Sequence, residues 1–321
     1  MSSSLLHPPS HLPPATALYH SQQAPNILAN SPGAIATSTV QSLLSASETP
    51  ELWTTYENLL LSCLRTGDDD AARQCLGRLV NRFGEDNERI MALKGLVKEA
   101  SAGDNATLDA ILKEYDQILQ ENPPNLPIAK RRIALLRSMG RIADAIAALI
   151  SLLDASPTDA EAWSELADMY FAQGLYSQAI FALEEVLVLQ PNAWNIHARL
   201  GEMLYTAAKT SDTTKQLAEA LKRFCRSIEL CDNYLRGYYG LKLIAKQLLS
   251  EPQKATKQAE LGDFPLPDSA TLRKLDEAAT EKLSEIVRRH TAGEKGWQGY
   301  DQAEITAARQ LLETEAEATV R

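Results

Sequence analysis

No lysine or arginine occurs before Arg65 in this 321-residue chain. The start therefore lacks both the basic n-region of a secretory signal and the arginines of a mitochondrial presequence. Long apolar runs are missing as well. The longest largely apolar stretch, Ala145 to Leu153, falls far short of the roughly 20 residues that cross a bilayer. The expectation is a body that neither spans a membrane nor is exported. Cysteine is scarce: Cys63, Cys75, Cys225 and Cys231 show no CxxC spacing, which predicts reduced, mostly buried thiols in a cytosolic protein and no zinc centre.

Catalytic signatures are equally absent. There is no glycine-rich phosphate loop, no HExxH and no local Ser/His/Asp arrangement. His7 and His11 are four apart, but Pro8 and Pro9 oppose the helix that would pair them on a metal. Asp68-Asp69-Asp70 reads as an acidic turn opening a helix, where carboxylates meet the positive end of the dipole. The net charge of −10 argues against wholesale phosphate binding, so no nucleic-acid partner is expected. Neither a catalytic residue nor a cofactor or metal is assigned, and the chain reads as a non-enzyme.

What is present is a repeat. Gly140, Ala145, Leu149 and Pro157 recur 34 residues later as Gly174, Ala179, Leu183 and Pro191. Thirty-four residues is the length of a tetratricopeptide unit, two antiparallel helices and their turns. Trp163, Leu166, Ala167 and Tyr170 lie at helical spacing on a first helix, Gly174 supplies a turn, and Ala179 is small where the second helix crosses closely. Leu183 and Val186 continue that buried face until Pro191 stops it.

The period extends both ways with falling fidelity. A unit runs from Leu126 to Asp159, and degenerate hairpins are predicted over Glu51 to Phe83 and Asn87 to Pro123. Downstream, Trp194, His197, Leu200, Gly201 and Leu204 open another unit, with His197 at the core position that Trp163 fills one repeat earlier. The polar stretch between Tyr205 and Ala220 predicts an insertion in the inter-helix turn, with the second helix resuming at Ala220. Tyr234 to Leu249 reads as one more first helix, Leu272 to His290 as its partner helix or a cap, and a final helix is expected from Asp301 to Glu317.

The prediction is an all-α tetratricopeptide repeat solenoid of about six helical hairpins. It divides into a disordered Ser/Pro-rich tail (1–47), the repeat body (48–290), and a C-terminal linker and helix (291–321). A stacked array exposes the first helix of each unit. There Lys130, Arg137, Asp168, Glu202 and Tyr205 form the candidate partner-binding surface, a mixture suited to a polypeptide. Repeat domains that hold a C-terminal carboxylate use a Lys and an Asn four apart on a first helix. The corresponding pairs here, Lys130/Ala134, Ser164/Asp168 and Ala198/Glu202, lack the Asn and twice place an acid there.

The region from about residue 50 to 290 resembles the family of subunit 2 of the endoplasmic reticulum membrane protein complex. The likeness is carried by Glu51-Leu-Trp, Cys75-Leu-Gly-Arg-Leu, Lys130-Arg-Arg-Ile-Ala, Trp163-Ser-Glu-Leu-Ala-Asp-Met-Tyr, Tyr176-Ser-Gln-Ala-Ile-Phe-Ala-Leu-Glu-Glu and Arg236-Gly-Tyr-Tyr-Gly-Leu. The Pro-rich tail departs from that pattern. The resemblance implies a non-enzymatic scaffold, peripheral on the cytosolic face of the endoplasmic reticulum membrane. It would serve a complex that inserts membrane proteins, and would bind membrane-embedded and soluble subunits. Membrane contact would then be indirect, through partners. The other reading open to the sequence is a repeat adaptor of a different cytosolic assembly.

Overall fold

A computed structural model of the chain describes residues 5–8, 12–29, 49–209, 214–250 and 266–320. Every regular element among the described residues is a helix. The chain divides into two compact units, residues 1–149 and 150–321. No described helix is long and apolar enough to cross a membrane.

Unit 1 begins with two short helices, α1 (Pro14–Ser21) and α2 (Ala24–Ala29). The composition-based reading of residues 1–47 as disordered does not hold for this stretch; residues 30–48 lie outside the described ones. The segment is rich in Ser and Pro, yet apolar residues of its described part converge. Leu5, Ala17, Ala24 and Leu28 are buried against the first repeat. Arg78 donates to the Leu28 carbonyl at 2.6 Å and to the Tyr56 hydroxyl at 3.0 Å, and Asn58 donates to the Leu5 carbonyl at 2.8 Å. Composition describes what a segment can bury by itself. Here a neighbouring surface supplies the other half of each contact.

The repeat helices follow: α3 (Pro50–Thr66), α4 (Asp69–Phe83), α5 (Glu88–Ala100), α6 (Asn105–Glu121), α7 (Leu126–Ser138) and α8 (Ile142–Ala155), the last of which belongs to unit 2 from Ile150 onward. Their starts are legible as caps. The side chains of Thr49, Asp68, Asn87, Asp104 and Asn125 each accept a first-turn backbone N–H. Within unit 1, Tyr56, Leu59, Leu60, Cys63 and Cys75 have no solvent exposure, and Tyr115 lies over Gly95. A Cβ at Gly95 would sit 2.1 Å from the Tyr115 hydroxyl, so only glycine admits that crossing.

Unit 2 holds α9 (Ala160–Ala172), α10 (Tyr176–Leu189), α11 (Trp194–Ala208), α12 (Thr214–Leu230), α13 (Leu235–Ser250), α14 (Ser269–Thr291) and α15 (Gln302–Val320). Its core includes Ala179, Leu183, Leu200, Leu221, Phe224, Leu241, Leu283 and Ile286. One feature corrects the sequence reading. Helix α12 begins at Thr214, not Ala220, because Leu217 and Ala218 are buried and extend its apolar face by most of a turn upstream. The final helix expected from Asp301 to Glu317 is α15, and its Ile305 and Ala308 have no exposure and belong to the unit 2 core.

The 34-residue period is repeated in backbone hydrogen bonds. Gly140 and Gly174 both adopt positive φ, at 74° and 72°. The following N–H groups, of Arg141 and Leu175, each reach back 2.9 Å, to the Leu136 and Tyr170 carbonyls, closing the same Schellman turn. At the opposite turns, Asn122, Ser156 and Gln190 make matching bonds at 2.8 Å to Ile118, Leu152 and Val186. The next such bond is at Cys231, 41 rather than 34 residues on, so this unit carries seven extra residues. Residues 210–213 of the predicted insertion lie outside the described ones.

Candidate functional site

The register of the repeat places side chains in columns on the first helices of unit 2. Asp168, Glu202 and Arg236 are 34 apart, and so are Phe171, Tyr205 and Tyr239. One column is charged and the other aromatic, because a first helix that packs on two neighbours through its small and aliphatic residues leaves one stripe outward.

The charged column is bonded between repeats. Arg199 of α11 pairs with Asp168 of α9, and Arg236 of α13 lies 3.6 Å from Glu202 of α11. Arg236 also reaches Glu304 of α15 at 3.3 Å, so one guanidinium serves two carboxylates. Burial raises the Glu202 and Glu304 carboxyls above their ordinary range, while Glu202 beside it raises Arg236 further. Half-exposed pairs of this kind stabilise little by themselves. Their geometric effect is to hold adjacent first helices in one register.

Between α11, α13 and α15 these columns open a cleft of about 390 Å³. Its floor is Phe224, Leu235 and Leu243, its walls are Tyr205 and Tyr239, and its polar edge is Glu202, Arg236 and Glu304. The Lys209 ammonium lies 4.5 Å over the Tyr205 ring. An apolar floor with a few convergent polar groups suits a side chain of a docked polypeptide.

Two small positions shape this floor. Phe224 sits between Gly201 of α11 and Gly240 of α13; a Cβ would meet its ring at 2.8 Å from Gly201 and 2.1 Å from Gly240. Gly237 admits Ile228, whose methyl would lie 2.8 Å from a Cβ there. These contacts account physically for both glycines of Arg236-Gly-Tyr-Tyr-Gly-Leu.

Of the sequence-derived candidates, Asp168, Glu202 and Tyr205 lie on this face of unit 2. Glu202 and Tyr205 share the cleft, and Asp168 stands one repeat away, engaged by Arg199. Lys130, half-buried, and Arg137, exposed, lie on α7 in unit 1. Sequence reasoning missed Arg236, Tyr239 and Glu304. The first two follow from Glu202 and Tyr205 by adding one period. Glu304 has no such signal, since its place depends on how α15 folds back.

The groups that could have carried chemistry are otherwise occupied. His197 Nε2 lies 3.0 Å from the Pro191 carbonyl, as Trp163 Nε1 donates at 2.9 Å to the Pro157 carbonyl one repeat earlier. The expected core histidine is thus an indole substitute, and burial lowers its pKa. Burial pushes the Cys63 thiol up to about 11 and the Cys75 thiol up to about 12, so both stay protonated. No cluster of three or more His, Cys, Asp or Glu that could hold a metal occurs among the described residues.

Known proteins resemble this chain in the same region. A family profile described as the EMC2 TPR-like repeat domain matches residues 79–220. The chain is 34% identical to TPR repeat protein oca3 of Schizosaccharomyces pombe, over 72% of this chain and 82% of that protein. It is 32% identical to ER membrane protein complex subunit 2 of Xenopus tropicalis, over 64% and 67%. The subunit of that name from Saccharomyces cerevisiae is 27% identical over 60% and 68%.

Proposed function

The chain belongs to the family of ER membrane protein complex subunit 2, and from that premise we propose that it is a non-enzymatic scaffold subunit of such a complex. Its place is the cytosolic face of the endoplasmic reticulum membrane, where it binds membrane-embedded and soluble subunits and touches the membrane only through them. The single observation that supports a binding role is the cleft between α11, α13 and α15, where a register-locked charged column borders an aromatic one. Tyr205 and Tyr239 supply wide apolar faces with a polar tip, the composition typical of interface anchors. On this reading Asp168 holds the next row of the same surface, and Lys130 and Arg137 on α7 offer unit 1's own contact to a partner. The structural engagement of His197 and the protonated state of Cys63 and Cys75 support a role without catalysis.

The test is affinity purification of the full chain from its own cells, wild type against Tyr205→Ala/Tyr239→Ala, with helicity checked by circular dichroism. The expected result is unchanged helicity, loss of one or more partner subunits, and a shift of the chain from the membrane to the soluble fraction. Full recovery of every partner by a correctly folded variant would overturn the assignment of this surface. Tight binding of the purified chain to protein-free liposomes would overturn the indirect membrane contact.

A further inference from the structure

A second surface in unit 2 lies away from the charged and aromatic columns. The last turns of α8, with α9 and α10, enclose a cleft of about 510 Å³ lined by Ile150, Leu153, Pro157, Trp163, Tyr170 and Phe181. The cleft is built: the Trp163 indole N–H is tied to the Pro157 carbonyl, and its ring meets Phe181 edge-on at 6.1 Å between centroids. It is also open to solvent. Phe181 is 54% exposed, Ile150 41%, and Val188, two turns further along α10, 74%. Exposed large apolar side chains grouped around a concavity mark an interaction site more often than scattered ones do.

The stretch of chain that builds this cleft is one-sided in charge. From residue 150 to 198 there is no lysine or arginine, while Asp154, Asp159, Glu161, Glu165, Asp168, Glu184 and Glu185 supply seven carboxylates. Asp154 stands on the cleft's own edge. Among these carboxylates, Asp168 is paired by Arg199 and Glu184 is reached by Arg223 at 3.8 Å, both from outside the stretch. An apolar slot in an acidic field favours an occupant whose apolar side chain is flanked by cations, and steers it by charge before contact. The same field repels an anionic lipid surface, so the occupant is a polypeptide.

We infer that the α8–α9–α10 cleft docks a basic segment of a partner polypeptide, inserting one large apolar side chain beside Phe181 and Trp163 with lysines or arginines against the acidic rim. Its source rests on the function proposed above: the cytosolic flanks of membrane-spanning helices are enriched in lysine and arginine, and a membrane-embedded subunit carries such a flank.

The test places a photo-crosslinking benzoylphenylalanine at Phe181 of the full chain in its own cells, and in a separate preparation at Tyr205. Adducts are mapped by peptide mass spectrometry. The expected Phe181 adduct maps to a partner stretch with more Lys and Arg than Asp and Glu and a large apolar residue at the link. Its yield should fall at least fivefold when Asp154→Lys and Glu184→Lys are added. Adducts to a second copy of this chain, to lipid, or to a neutral or acidic stretch would overturn the inference. So would capture at Tyr205 with none at Phe181, which leaves the function proposed above standing. Absence of adducts at both positions in a folded chain would count against both.

Discussion

Gly240→Ala should destabilise the protein although it adds the better helix former. In an unstrained helix interior the change would stabilise by about 1 kcal/mol. Here the new Cβ would lie 2.1 and 2.2 Å from two ring atoms of Phe224, distances no carbon pair tolerates. The ring has no retreat, because Gly201 faces its other edge with only 2.8 Å for a Cβ, and Phe224 is 1% exposed. Helices α11 and α13 must therefore separate, at an overpacking cost of about 1–3 kcal/mol or more beyond the propensity gain. Urea denaturation followed by far-UV circular dichroism measures the difference. Phe224→Leu alone should destabilise by leaving a void, yet Gly240→Ala should become markedly less costly in its presence. The coupling between the two sites should be about 1 kcal/mol or more. A Gly240→Ala variant as stable as the parent, or strictly additive effects, would refute the clamp.

Ala179→Trp should destabilise by about 1–3 kcal/mol or more, since Ala179 has no exposure at the α9–α10 crossing; the thermal midpoint reports it. Lys242 is buried with its ammonium 3.1 Å from Asp276 and 2.6 Å from the Thr280 hydroxyl, tying α13 to α14. Asp276→Ala should therefore cost about 3 kcal/mol in denaturant titration, and Lys242→Met much less, because only the first removes a carboxylate that faces a buried charge. His197 has a lowered pKa in the folded chain, so the unfolded state takes up its proton first. This component of stability is intact above about pH 6.5 and is lost as the pH falls toward the folded value. His197→Gln should flatten the stability profile between pH 7 and pH 5. Asp168→Lys would face Arg199 and should weaken complex assembly, and Arg199→Asp in the same chain should restore it if the α9–α11 register is the cause; co-purification decides.

The repeat was legible because its period is enforced by local physics. Gly140 and Gly174 are turn residues whose positive φ other side chains resist, and Ala145 and Ala179 are small where helices cross. Helix starts could be read from Asp68, Asn87 and Asp104, which cap through their own neighbours. Half of the proposed binding face could be read too, since Asp168, Glu202 and Tyr205 inherit their direction from the register. What needed the tertiary structure lies in contacts between segments far apart in the chain. Docking of α1 and α2 depends on Arg78 reaching a carbonyl 50 residues away, which no compositional rule for a Ser/Pro-rich tail contains. The third wall of the cleft depends on α15 returning so that Glu304 meets Arg236. Sequence by itself thus determined the repeat, its turns and the direction of its first helices, because these follow from backbone conformation and residue size within one period. Tertiary structure alone decided which side chains meet across periods, because apolar burial is non-directional and the chain holds many residues that could satisfy it.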